Sequence, residues 1–95
     1  MILSDKTIKE IILNNKVYLV SPFNPDNLQP CSIDLCLGDE LKTIHGKCID
    51  LSQDSYKLKP NEFILGSTLE RVNVPYDLMG RVEGKSSIAR LGVTI

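Results

Sequence analysis

Beyond Lys16 the apolar residues of this chain tend to recur at every second position, and no such stretch runs far before a proline, glycine or asparagine interrupts it. Period two places side chains on alternate faces of a pleated strand, and the breakers keep each strand short. Short strands joined by tight turns favour a small antiparallel sandwich or barrel. They disfavour βαβ units, whose parallel strands need helical crossovers.

The individual pieces follow from their punctuation. Val17-Tyr18-Leu19-Val20 reads as a first short strand, and Ser21-Pro22-Phe23-Asn24-Pro25-Asp26-Asn27 as a loop, because two prolines break regular pairing. Ile33, Leu35 and Leu37 alternate with Ser32, Asp34 and Cys36, which predicts a half-buried strand stopped by Gly38. The stretches 41–44 and 47–51 flank His45-Gly46, a hairpin connection with a glycine free to take positive φ. His45 is therefore a turn residue rather than a ligand. Residues 56–58 read as extended before Pro60-Asn61, residues 63–69 as a further strand, and residues 73–77 as a turn. The N-terminus departs from this pattern. Ser4 is a good helix cap, Asp5 suits the first turn, and Ile8, Ile11 and Ile12 share one face. A helix of roughly ten residues, ending near Asn14-Asn15, is expected to cover part of a sheet.

The 95 residues make one domain, 1–95, and a hydrophobic fraction of 42% excludes a disordered tail. No apolar run approaches the ~20 residues of a membrane span. Ser4, Asp5 and Lys6 follow Met1-Ile2-Leu3 at once, which leaves no signal-peptide core and points to the cytoplasm. A net charge of −1 offers no general attraction for nucleic acid, so any anion binding has to be local. Cys31, Cys36 and Cys48 are odd in number and read as reduced thiols. In a strand-like segment Cys31 and Cys36 fall on opposite faces, which argues against a zinc site with His45.

A local anion site is offered by Gly84-Lys85-Ser86-Ser87-Ile88-Ala89-Arg90-Leu91-Gly92. It is not a P-loop: with Gly84 as the second glycine of G-x-x-x-x-G-K-[ST], the first position holds Met79, and Gly80 comes one place late. One reading is structural, a short helix from about Ser86 to Leu91 with Gly92 just past its end. Such a helix is too short to persist on propensity alone. The other is phosphate recognition: Ser86 and Ser87 supply hydroxyl and amide donors, Lys85 a point charge, and Arg90 a bidentate fork one turn later. The residues alone leave these two readings level.

Three segments go further. Met1-Ile2-Leu3-Ser4-Asp5-Lys6-Thr7-Ile8, Gln29-Pro30-Cys31-Ser32-Ile33-Asp34-Leu35-Cys36-Leu37-Gly38 and Arg81-Val82-Glu83-Gly84-Lys85-Ser86-Ser87-Ile88-Ala89-Arg90-Leu91-Gly92 resemble the dCTP deaminase family, in that order and at comparable spacing. The similarity covers nearly the whole chain and corresponds to the family's N-terminal part. The opening segment resembles the deaminase branch rather than dUTPase. The resemblance implies a partial dUTPase-like β-sandwich or barrel, assembled as a homotrimer with active sites shared between subunits. It implies hydrolytic deamination of dCTP to dUTP and ammonia in pyrimidine deoxynucleotide metabolism, with Mg2+ accompanying the triphosphate and no zinc. The H-x-E…P-C-x-x-C pattern of zinc deaminases is indeed missing from these residues. Members that go on to cleave dUTP to dUMP keep a bifunctional reading open.

By the same resemblance Lys85 contacts phosphate, Ser86 helps to position the attacking water, Ser87 adds phosphate contacts, and Arg90 joins the triphosphate to the catalytic network. Asp34 stands at a motif aspartate whose implied role is structural or solvent-mediated. Cys31 and Cys36 depart from the serine and arginine usual at their positions. The family's general acid/base glutamate and its base-reading hairpin lie beyond the phosphate motif and outside these 95 residues. Glu83 is a poor substitute, because a carboxylate so close to phosphates would repel them. A non-catalytic nucleotide-binding or assembly module is the competing expectation. Self-association is expected in either case, through unpaired strand edges and an uncovered apolar face.

Overall fold

Ser4 begins the first helix by satisfying donors that helix geometry leaves free. Its hydroxyl accepts from the Thr7 amide at 3.3 Å and its carbonyl from the Ile8 amide at 2.9 Å. In the computed structural model, which describes residues 1–14 and 19–95, this helix α1 spans Asp5–Asn14 as its spacing predicts. Ile8 is buried, with Ile11 and Ile12 half-buried beside it. The Asp5 amide donates to the Pro30 carbonyl at 2.8 Å, fastening the start of the helix to the loop that carries the second motif.

Val17 and Tyr18 of the first expected strand lie outside the described residues. The strand seen there, β1 (Val20–Ser21), takes in Ser21 from the expected loop and runs antiparallel to a late strand. After a 3-10 turn at Pro25–Asn27, β2 (Leu28–Gln29) and β3 (Ser32–Ile33) form a tight hairpin around Pro30 and Cys31. β4 (Leu37–Thr43) is the centre of a three-stranded antiparallel sheet, flanked by β5 (Cys48–Asp50) and β6 (Ile64–Thr68). β7 (Arg71–Val72) closes the chain's pairing by meeting β1, with Val20 opposite Val72. The architecture is mainly β and antiparallel, in sheets of two, two and three strands, with no closed barrel among the described residues.

The β4–β5 hairpin follows its turn residues. Thr43 and Lys47 close it through an amide-to-carbonyl bond of 2.9 Å, and Gly46 takes the positive φ of 87° that the turn requires. The expected strand across residues 33–37 is broken, however. β3 ends at Ile33, residues 34–36 are irregular, and β4 starts at Leu37. Cys31 therefore sits in the β2–β3 turn and Cys36 in that irregular stretch, not on two faces of one strand; all three cysteines are free and exposed. Gly38 does not stop a strand. It lies buried inside β4, where an added Cβ would stand 3.0 Å from the Ser67 carbonyl oxygen. Glycine there admits close approach of β6.

Glu70 explains how the irregular stretch is held. This acid is buried, and both of its carboxylate oxygens accept from the Cys36 amide, at 2.9 and 3.2 Å. The Cys36 carbonyl in turn accepts from the Leu69 amide at 2.8 Å, so the bend after β6 is stitched to the approach to β4. The Glu70 charge also pushes the Cys36 thiol up from its ordinary pKa, which lowers its thiolate fraction.

The core is small: among the described residues Ile8, Val20 and Leu41 are its buried apolar side chains, while Leu65 in β6 and Phe63 and Leu69 on either side of it are more than half exposed. The accessible surface of 8281 Å² is far above the ~5,500 Å² of a closed protein of this mass. The radius of gyration of 15.4 Å likewise exceeds the ~12 Å of a compact domain of this length. A large apolar surface stays uncovered. No described helix is long and apolar enough to cross a membrane.

Candidate functional site

The regular strands end with β7, and the chain reaches the glycine-flanked segment through turns. The Asn73 amide donates to the Leu19 carbonyl at 2.9 Å and the Leu78 amide to the Pro75 carbonyl at 3.1 Å. Helix α2 then spans Ser86–Ala89, shorter than the expected Ser86 to Leu91. The Ala89 and Arg90 amides make helical bonds to the Lys85 and Ser86 carbonyls at 2.9 and 3.0 Å. Leu91 already bonds back only three residues, to Ile88, and Gly92 turns the chain away at φ 88°. The helix therefore stops at Ala89 with Arg90 as its cap, short of the Gly92 that the sequence places just past its end.

The start of α2 is the chemically open end. Lys85 occupies the cap with extended dihedrals, and no side chain caps the helix. A lysine has no acceptor to offer, so the first amides of α2 keep their hydrogen-bonding capacity for something else. Lys85, Ser86, Ser87 and Arg90 all belong to this one turn and all are exposed. Among the described residues Arg90 makes no ion pair, which leaves its guanidinium free to bind.

Asp34, expected to be structural or solvent-mediated, comes directly to this turn. Its Oδ2 accepts from the Lys85 ammonium at 2.5 Å, across 51 residues of sequence, and from the Gln29 side-chain amide at 3.1 Å. The second motif and the third are thus brought together by one carboxylate. Glu83 is engaged differently, in an exposed pair with Arg81 at 3.0 Å. Glu70, which reads from sequence as an ordinary acid between strands, is committed to the Cys36 amide. Neither offers a free general acid or base at α2. Among the described residues no group of three or more His, Cys, Asp or Glu gathers as metal ligands. His45 lies in the β4–β5 turn, as its sequence position predicts.

Elsewhere, Glu62 ties down the loop before β6. It accepts from the Lys59 amide at 2.9 Å and from the Tyr56 hydroxyl. The Lys59 bond, followed by that from Tyr56, holds the Glu62 carboxyl below its usual range, and the same contact raises the Tyr56 phenol. This loop borders a cleft lined by Thr43, Lys47, Asp50, Asp54 and Tyr56, which does not include α2. The α2 turn is an open cationic surface, suited to the charged tail of a ligand.

Comparison with known proteins agrees with the motifs. A family model described as dCTP deaminase-like matches residues 2–95. A protein of Methanobrevibacter smithii is 40% identical over 113 residues, covering 99% of this chain and 58% of the relative. One from Dictyoglomus thermophilum is 37% identical, covering 100% of this chain and 59% of the relative. One from Corynebacterium kroppenstedtii is 40% identical, covering 98% and 58%. Each bears the name dCTP deaminase, dUMP-forming. This chain spans less than two thirds of the length of each of these relatives. The matched stretches, 110 to 114 residues, also exceed the 95 of this chain, so the relatives carry internal residues without counterpart here.

Proposed function

The chain belongs to the dCTP deaminase-like family, and on that premise we propose that it is the phosphate-holding N-terminal part of a dCTP deaminase. The observation that carries this reading is the uncapped α2 turn, with Lys85, Ser86, Ser87 and Arg90 exposed together on it. The Ser86 and Ser87 amides and hydroxyls take phosphate oxygens, Lys85 adds charge, and Arg90 adds a two-pronged donor. Ser86 and Arg90 also orient the water that attacks C4 of cytosine. Water adds at that carbon, ammonia leaves, and dCTP becomes dUTP. The names of the relatives favour continuing to dUMP, with a second water releasing pyrophosphate.

Magnesium fits this site only as a companion of the nucleotide. It prefers oxygen ligands and binds readily through substrate phosphates, and no acidic cage gathers among the described residues. When bound, it would neutralise phosphate charge. Zinc has no role in this reading. The protons of the deamination need a carboxylate that α2 does not hold, so it comes from further residues of a longer protein or from a second copy. The excess accessible surface, about 2,800 Å², is in the range that permanent subunit interfaces cover. It supports a homo-oligomer, a trimer in this reading, with sites completed between copies. A phosphorylated nucleotide substrate suits the cytoplasmic location expected from the opening residues. No nucleic acid or membrane partner is invoked.

A second reading is a nucleotide-binding or assembly module without catalysis, and the engagement of Glu70 with the Cys36 amide and of Glu83 with Arg81 favours it, because neither acid is free at α2 to carry protons. Incubating the protein with dCTP, while following ammonia and the nucleotide products, separates the two. The expected result is ammonia above background with dUMP and pyrophosphate accumulating, all abolished by Arg90→Ala. Background ammonia with dCTP binding intact would select the module.

A further inference from the structure

Asp34 and Lys85 are too far apart in sequence for their contact to be incidental to local folding, and the carboxylate is the fixed partner. Its amide donates to the Asn27 carbonyl at 2.8 Å, and its Oδ2 is also held by the Gln29 side chain at 3.1 Å. The Asp34 side chain is 25% exposed against 58% for Lys85, so the lysine reaches in from solvent to an anchored acceptor. An ammonium has three donors and this contact takes one. The pair nonetheless keeps a negative charge directly behind a cation that the proposed function assigns to phosphate.

Resting on that phosphate reading, we infer that Asp34 is a positioning residue that acts as a competitive latch on Lys85. In the free protein it holds the ammonium against the β2–β3 hairpin. An arriving polyphosphate has to draw the lysine away, and meets the carboxylate's repulsion as it does so. Exposed ion pairs shift equilibria by up to roughly fivefold, small enough for a ligand to overcome and large enough to set affinity. The repulsion grows with the number of phosphate charges and is screened by salt. Asp34 thus restrains binding of the most highly charged ligands and keeps the cationic turn from retaining every passing anion.

The test has two arms. In the first, the ligand-free protein is reductively methylated and the rate at each lysine is followed by peptide mass spectrometry. Asp34→Asn is expected to raise the Lys85 rate at least about twofold, as release of an exposed pair allows, and to leave Lys57 unchanged. An unchanged Lys85 rate overturns the latch whatever any ligand does. In the second, inorganic tripolyphosphate is titrated calorimetrically. Asp34→Asn is expected to bind about three- to tenfold more tightly at low salt, with the gain shrinking as salt is added and in a Lys85→Ala background. Gln29→Ala, which loosens the carboxylate without removing its charge, is expected to shift affinity the same way by less. A merely structural Asp34 predicts the opposite sign, and weaker or equal binding by Asp34→Asn overturns the latch. If the first arm shows the pair while the unmutated protein ignores tripolyphosphate, the phosphate reading falls and the latching role with it.

Discussion

Leu41→Ala is expected to remove a large part of the stability of this chain, moving its urea midpoint sharply down. Leu41 is one of three buried apolar side chains among the described residues, and it sits at the middle of the central strand β4. Its Cδ2 would lie 3.1 Å from a Cβ placed on Gly66, so it fills the space directly over the β6 backbone. Truncating a buried leucine costs about 2–5 kcal/mol. A domain of this length has a net stability of roughly 5–14 kcal/mol, and one with so small a core belongs at the lower end. Urea titration followed by circular dichroism measures the difference. Leu69→Ala is the control, since Leu69 is 60% exposed and an exposed truncation changes stability by about 0.5 kcal/mol or less. A Leu41→Ala loss below ~1 kcal/mol would mean that β4 does not organise the core. A Leu69→Ala loss as large as that of Leu41→Ala would show that another copy covers the β6 face in solution.

Arg90→Ala is expected to weaken triphosphate binding about ten- to a hundredfold while reducing monophosphate binding much less. Arg90 is exposed at the C-terminal end of α2, one turn beyond Lys85. In the proposed reading the near end of the phosphate chain lies at the helix start, and a guanidinium at this position would reach its distal part. Isothermal titration with a nucleoside triphosphate and the matching monophosphate decides the matter. Equal losses for both ligands would make Arg90 a structural residue.

The sequence shows some of this plainly and hides the rest for physical reasons. Helix α1 is legible because its signals are local: a capping serine, an acid in the first turn, isoleucines on one face. The β4–β5 hairpin is legible because Gly46 permits a conformation other residues resist. Gly38 is misread because a glycine that ends a strand and one that admits a neighbouring backbone look alike in one dimension. The difference depends on Ser67, far along the chain. Glu70 is illegible for a similar reason, since its partner is an amide 34 residues away. The turn at α2 is legible as a cluster of donors and misjudged in length at its far end, where the Leu91 amide bonds back only three residues to Ile88 rather than continuing the helix. The Asp34 contact with Lys85 joins two motifs that the sequence shows separately, and only the fold makes them neighbours.

The central claim is that the first amides of α2, with Lys85 and Arg90, receive the phosphates of a nucleotide. Titrating dCTP into isotopically labelled protein and following every backbone amide by nuclear magnetic resonance tests it most directly. The account predicts saturable shifts concentrated at Ser86 and Ser87 and extending to Lys85 and Arg90. Those amides staying still, while shifts gather around the cleft at Thr43, Asp50 and Tyr56 or nowhere at all, would contradict it.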